Sequence, residues 1–338
     1  MLSVIANAIY YPLKIYLFVV GNLYFRKIKI TGHENVPTKG PVILAINHQN
    51  ALLDALLISA LFRRNIFFFT RGDLFRSPVT NKILRGFKML PVYRLRDGYK
   101  DTKRNDETFE ASRKKLLKGG VIGIFPEGSH NLHYKIRPLK KGVARLAFIT
   151  EEATDFASGL VVVPVGIQYE SHFGPDGRTL ISIGEPIKVA DFKEIYISNQ
   201  NLANERFLHA LSERMKTLVI DIQGDYNEVY RKFMERRVYR NDLTDQLITD
   251  QALVRAIEKN TPFIQENEKV PDYKKALATL WKPIWFFIGF IPKSLVNILV
   301  RKFTRDPHYY GSMRFIYSIF LYPIFFLLLI LVIRFLVS

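Results

Sequence analysis

The sequence predicts an α/β fold: a largely parallel central sheet flanked by helices, with an N-terminal interfacial helix, a helical appendage and a C-terminal membrane segment. Three observations predict it. Between residues 31 and 190, short apolar runs alternate with longer segments of helical period, the pattern of strand–helix–strand units. Hydrophobic residues make up 48% of the chain and are concentrated at its two ends. Residues 191–275 turn polar, with mixed charge on a helical period.

Taken in order, residues 1–25 are rich in Ile, Leu, Phe and Tyr, interrupted only by Lys14, with Arg26, Lys27 and Lys29 just beyond. A helix dipped into lipid headgroups fits this pattern, so residues 1–30 are assigned to the membrane interface. No basic region precedes the run and no small-residue cleavage site follows it, so a signal peptide is not expected. The α/β domain, residues 31–190, begins with the apolar run Val42–Ile46 and the helical Ala51–Phe62. Ile66–Thr70 precedes a helical Phe75–Lys88, and Leu90–Tyr93 precedes a helix over Asp106–Lys118 that Gly119 and Gly120 stop. Val121–Phe125, the helical Lys141–Glu152, Val161–Ile167 and, after the turn at Gly174-Pro-Asp-Gly, Thr179–Ile183 complete the set. Phe207–Ile222 and Tyr226–Arg237 are the clearest helices of the appendage.

Residues 276–338 form a membrane-associated region. Phe315–Ile333 is a run of 19 uncharged, mostly apolar residues between Arg314 and Arg334. As a helix it would span about 28 Å, close to the hydrocarbon thickness, and Pro323 is tolerated there. Upstream, Pro283–Pro292 and Leu295–Val300 are split by Lys293, which fits a re-entrant or interfacial pair. Arg301, Lys302 and Arg305 favour the cytoplasmic side, which places the α/β domain on that face of a membrane.

Lys and Arg outnumber Asp and Glu by 49 to 31, for a net charge of +18. Such a balance fits a nucleic acid or an anionic lipid surface, and the apolar ends select the lipid. The chain has no cysteine, which excludes disulfides, thiolate metal sites and a thiol nucleophile. It contains neither a Gly-x-Ser-x-Gly elbow nor a Gly-rich phosphate loop, so serine hydrolysis and nucleotide binding lose their usual signatures.

The polar residues follow the apolar runs. Asn47 and His48 follow the first, Arg71 the second, Arg94 and Arg96 the third, Glu127, Gly128 and Ser129 the fourth, and Gly166 and Gln168 close the fifth. In an open parallel sheet, positions beyond the carboxyl ends of the strands converge on one crevice. His48 and Asp54 are six positions apart and would diverge on one continuous helix. Their partnership requires His48 in the loop and a helix starting near Asn50, a good N-cap, with Asp54 in its first turn. The residues alone leave two readings: an imidazole base with its orienting carboxylate, or a capping loop with a dipole-complementing aspartate. At Pro126-Glu127-Gly128 the glycine admits close approach to the backbone, and the carboxylate is free to hold a hydroxyl or an arginine, or to lie exposed in a turn. Arg94 is best placed to grip a phosphate with its two-pronged guanidinium, while Arg71, Arg137, Lys140 and Lys141 read as pocket cations or as solvated charges.

Asn47–Asp54, Leu90–Arg94, Phe125–Ser129 and Val163-Pro-Val-Gly166, in that order, resemble the phospholipid/glycerol acyltransferase family over about residues 30–190. Phe-Pro-Glu-Gly-Ser-His, Pro-Leu-Lys-Lys-Gly-Val-Ala and Gly184-Glu-Pro-Ile are closest to its glycerol-3-phosphate and dihydroxyacetone-phosphate acyltransferase branch. Five residues separate His48 from Asp54 where the commoner family pattern has four, and the longer spacing resembles the same branch. The resemblance implies His48 as general base, Asp54 as its orienting partner, and Arg94, Glu127, Gly128 and Ser129 as the acceptor-binding set; Asn47, Arg71 and Lys140 complete the candidate substrate contacts. It implies an acyl-CoA or acyl carrier protein thioester as co-substrate, a phosphate-bearing glycerol acceptor, and no cofactor or metal. Glycerol 3-phosphate is the first acceptor expected and lysophosphatidate the second. A lipid-binding protein without turnover on the same fold is the alternative of a different class.

Overall fold

The computed structural model describes residues 2–93, 99–172, 177–263 and 292–337. Its strands are β1 (Lys27–Thr31), β2 (Val42–Ile46), β3 (Ile66–Arg71), β4 (Met89–Val92), β5 (Val121–Ile124), β6 (Val161–Tyr169), β7 (Arg178–Ile183) and β8 (Ile187–Lys188). They form one sheet in the order β1-β7-β6-β2-β5-β3-β4, with β8 beside β6. The five strands β6-β2-β5-β3-β4 run parallel, as the alternation predicts. β7 and β8 are antiparallel to β6, and β1 is parallel to β7.

β1 is an addition to the sequence reading. Lys-Ile-Lys-Ile-Thr alternates with period two, but its lysines read more readily as a basic membrane flank. The predicted helix over Phe75–Lys88 is also shorter than expected. Residues Gly72–Phe75 form a 3-10 turn, and α3 runs only from Pro78 to Gly86, because proline is favoured at the first helical turn.

Strand alternation divides the core into two layers. Val42, Leu44 and Ile46 of β2 face one side, with Val163, Val165 and Ile167 of β6, and are covered by α1 (Leu2–Tyr24), α2 (Ala51–Leu61) and the start of a long C-terminal helix. Ile43 and Ala45 face the other side, with Ile122, Ile124 and Val162, under α4 (Tyr99–Leu117), α5 (Gly142–Glu152) and α7 (Gln200–Lys216). A sheet covered on both faces explains why its central strands are continuously apolar rather than alternating.

α7 follows the short α6 (Lys193–Ser198) and buries Phe207, Leu211 and Met215 in the second layer. Full burial of such side chains contributes roughly 1.5–3 kcal/mol each. α7 therefore shares the core of the sheet. α8 (Tyr226–Arg236) and α9 (Leu243–Glu258) add a third cluster around Phe233, Leu243 and Leu253, which includes Leu180 of β7.

At the C-terminus, residues 292–303 are helical (α10) and α11 covers Tyr310–Val337. Val296 and Val300 of α10 pack with Tyr322 of α11. The segment Pro307–Phe335 is long and apolar enough to cross a membrane, by length and composition. Ser312, Phe315, Ser318 and Tyr322 form its buried face, whereas Phe320, Ile324, Leu327, Leu328 and Leu331 are more than half exposed. α1 shows a similar split, with Leu17, Val20 and Tyr24 buried and Tyr11, Ile15, Phe18 and Val19 exposed. Of the expected apolar pair, Pro283–Pro292 lies outside the described residues save its last position, and Leu295–Val300 falls within α10.

Candidate active site

The parallel strands deliver their carboxyl ends to one crevice, and the β2–α2 loop supplies its centre. β2 ends at Ile46, and Asn47 extends the strand pairing with its side chain. Its Nδ2 donates to the Ile167 carbonyl (3.0 Å), and its Oδ1 accepts the Ile167 N–H (2.6 Å). Asn47 is buried with both amide ends engaged, so it braces β2 against β6 and does not face the crevice as the sequence reading expected.

His48 lies in the loop and Asp54 in the first turn of α2, the only arrangement that lets them meet. His48 Nδ1 is 2.8 Å from Asp54 Oδ2. The same carboxylate oxygen accepts the Asn50 N–H at 2.8 Å, and Oδ1 accepts the Tyr169 hydroxyl at 2.7 Å. Asp54 is fully buried, so three donors compensate a charge removed from water. With Nδ1 turned to the carboxylate, Nε2 is the ring atom left for taking a proton. The Phe125 ring stacks on the imidazole, centroids 4.0 Å apart and planes 17° from parallel.

Asn50 is not the side-chain cap that its residue type predicts. Asp54 takes the Asn50 N–H, while Asn50 Nδ2 donates to the His172 carbonyl (3.1 Å). Ala51, the first helical residue, has φ +40°, a left-handed conformation unusual for a residue with a Cβ. Strain of this kind persists only where surrounding contacts hold it.

Glu127 approaches the loop from the end of β5. Its Oε1 accepts the His48 backbone N–H (2.9 Å) and its Oε2 accepts Arg137 Nε (2.8 Å). The buried carboxylate thus holds an arginine, one of the two ligands its position allowed, and both oxygens are occupied. Arg137 also donates to the Ser129 hydroxyl at 3.0 Å and to the Ser129 carbonyl. Gly128 has φ +80°, and an added Cβ would sit 3.3 Å from the Lys140 side chain. Gly128, Ser129 and Lys140 are exposed along this rim. Arg71, at the end of β3, grips Asp73 with two hydrogen bonds of 3.1 and 2.6 Å. Arg94 and Arg96 lie outside the described residues.

The fifth strand corrects the sequence reading. Gly166 is internal to β6, where an added Cβ would lie 2.6 Å from Leu218, and Gln168 accepts the Ile220 N–H. β6 instead runs two residues further than expected and presents Tyr169 to Asp54. Burial, then the adjacent carboxylate, push the Tyr169 pKa well above its ordinary value, so the phenol keeps its proton and donates. No motif marks Tyr169; only the extra length of the strand brings it in. Two histidines flank the dyad. His130 stands edge-on to His48 at 5.8 Å, and burial, followed by its electrostatic interaction with His48, lowers its pKa. His172 is driven by burial from its ordinary 6.5 to about 4 and lies 3.2 Å from Gln49 Oε1. A separate groove of about 340 Å³ between α4 and α5, lined by Asp106, Phe109, Glu110 and Arg145 among others, shares no lining residue with this site.

A sequence profile of the Acyltransferase family matches residues 27–168, which contain both members of the dyad and Glu127. Residues 27–168 are an acyltransferase-family domain. Within the chain, 151 residues are 30% identical to a 1-acyl-sn-glycerol-3-phosphate acyltransferase of Borreliella burgdorferi, covering 44% of this chain and 53% of that protein. A further match, 29% identical over 137 residues, is to glycerol-3-phosphate O-acyltransferase 2 of Saccharomyces cerevisiae and covers 40% of this chain and 18% of the yeast protein. The chain spans about half the length of the first of these relatives and much less of the second. Among solved structures, a 1-acyl-sn-glycerophosphate acyltransferase of Thermotoga maritima is similar, at 21% identity and a TM-score of 0.43 over 62% of this chain and 81% of that one.

Proposed function

We propose that this chain is a membrane-bound O-acyltransferase that moves a fatty acyl group from an acyl thioester to a hydroxyl of glycerol 3-phosphate. The observation that carries this reading is the 2.8 Å pair of His48 Nδ1 and Asp54 Oδ2 at the carboxyl end of a parallel sheet, within an acyltransferase-family domain. His48 Nε2 takes the acceptor hydroxyl proton as the oxygen attacks the thioester carbonyl. The carbon–sulfur bond breaks, the thiolate leaves, and the proton passes from the imidazolium to the departing sulfur. Asp54 holds the imidazole in the tautomer that frees Nε2 and stabilises the imidazolium as it forms. A thioester is already activated, so no covalent enzyme intermediate is required. General-base help contributes roughly 10²–10⁴-fold, and positioning of the acceptor supplies much of the rest.

Arg94 is assigned to the acceptor phosphate on its place in the sequence, with Lys140 and Ser129 at the exposed rim. The apolar α11 and the exposed apolar face of α1 support a membrane location, and Arg301, Lys302 and Arg305 support a cytoplasmic catalytic domain. A second reading, acylation of lysophosphatidate to phosphatidate, is favoured by the name of the Borreliella relative.

Purified full-length chain supplied with one labelled acyl-CoA and a panel of acceptors tests both. The first reading expects acceptor-dependent release of free thiol, fastest with glycerol 3-phosphate. Turnover with lysophosphatidate alone establishes the second, and no thiol release with any acceptor contradicts both.

A further inference from the structure

The start of α11, the helix long and apolar enough to cross a membrane, seats directly on the loop that carries His48 and Asp54. Ser312, buried in its first turn, donates its hydroxyl to the Asn50 carbonyl at 2.6 Å. The Ser312 hydroxyl oxygen also accepts the Leu53 backbone N–H at 3.1 Å, a donor it shares with the Asn50 carbonyl at 2.9 Å. One hydroxyl therefore ties together the residue before α2 and a residue of its first turn, across the strained Ala51. Beside it, Gly311 approaches so closely that an added Cβ would lie 2.2 Å from the His172 carbonyl and 2.6 Å from both ends of the Asn50 amide. Phe315, one turn later, packs edge-on against Tyr24 at 5.2 Å and belongs to the core cluster under α2. At the rim, the Tyr309 ring lies 4.8 Å from His130, which in turn faces His48.

Asn50 is also the residue whose N–H binds Asp54 Oδ2, the oxygen shared with His48. Its carbonyl and side chain are held from the opposite side by Ser312 and by the backbone of His172. A shift of α11 is thus passed through a single residue to the catalytic carboxylate.

We propose that Gly311 and Ser312 are positioning residues for His48 and Asp54, so that seating of the C-terminal apolar helix against α2 sets the geometry of the dyad. This rests on the dyad being the catalytic base, as argued above. It follows that the helix does more than anchor the chain: the catalytic loop takes its working shape only when the first turn of α11 is in place.

The test uses full-length protein in lipid vesicles and compares Ser312→Ala and Gly311→Ala with Leu331→Ala, a substitution on the exposed face of the same helix. The expected result is a fall in kcat of about 10-fold for each of the first two, with Michaelis constants for thioester and acceptor within about two-fold and Leu331→Ala close to the parent. Ser312→Ala is also placed on a His48→Ala background. Because its effect runs through the dyad, it should slow that variant no further, whereas a purely structural contribution lowers both backgrounds equally. Unfolding midpoints report whether each variant is folded. Unchanged kcat in Ser312→Ala, equal losses in Leu331→Ala, or additive losses on the His48→Ala background would each overturn the proposal. Full activity in His48→Ala would instead remove the dyad reading on which it rests.

Discussion

Replacing Asp54 by Asn separates the two tasks that the carboxylate performs. Oδ2 receives two donors, His48 Nδ1–H and the Asn50 N–H, while Oδ1 receives one, the Tyr169 hydroxyl. An asparagine amide fits this arrangement in one sense only. Its oxygen must take the Oδ2 position, because an NH₂ there would oppose two donors. Its nitrogen then faces the Tyr169 oxygen, which can accept. Asp54→Asn therefore keeps the imidazole tautomer and loses only the negative charge that supports the imidazolium. A hydrogen bond to a charged group is worth about 1.5–3 kcal/mol, so kcat should fall roughly 10- to 100-fold, with little change in Michaelis constants. Asp54→Ala leaves all three donors unpaired in a site closed to solvent, at about 1–3 kcal/mol each, and should lower the unfolding free energy by about 3 kcal/mol or more. Thiol-release kinetics and denaturant unfolding of both variants measure these quantities. Parent activity in Asp54→Asn would show that the charge is not used. Inactivity equal to that of a histidine deletion would show that the tautomer argument fails.

Three further outcomes are expected. Tyr169→Phe strands Asp54 Oδ1 without a donor and should destabilise the fold by about 1–3 kcal/mol, read from denaturant unfolding, with a smaller loss of kcat than Asp54→Asn. Glu127→Gln breaks one of the two contacts that join the His48 N–H to Arg137 and should lower kcat while leaving the acceptor Michaelis constant nearly unchanged; a selective rise in that constant would instead place Glu127 in contact with substrate. His172 is neutral when folded because burial depresses its pKa from 6.5 to about 4. Below 6.5 the unfolded chain binds the proton first, so stability should decline as pH falls from 6.5 towards 4, and His172→Gln should flatten that decline in thermal unfolding measured across the range.

Much of the scaffold was legible because its signals are local. Val42–Ile46, Ile66–Thr70, Val121–Phe125 and Val161–Ile167 are short apolar runs bounded by turn residues, and each is a strand of the parallel sheet within a residue or two. The geometry required of His48 and Asp54 also followed from spacing, since six positions can converge only if a helix begins between them. What spacing cannot convey is which side of the backbone a polar group is turned to. Asn47 and Glu127 occupy crevice positions in the sequence, yet both side chains are engaged with other parts of the protein. Residues 27–31 were obscured by their lysines, and the packing of α7 on the sheet by a polar surface that outweighed the buried Phe207, Leu211 and Met215. Tyr169 and Ser312 lie 115 and 262 positions from the residues they contact in the catalytic loop, a separation no local pattern encodes.

The central claim is that His48 is the proton acceptor in acyl transfer. It is tested most directly by His48→Ala in the full-length protein, measured as acceptor-dependent release of free thiol under saturating acyl-CoA and glycerol 3-phosphate. The account predicts a loss of about 10²–10⁴-fold with membrane insertion and the unfolding midpoint retained. Turnover close to that of the parent in the folded variant would contradict it.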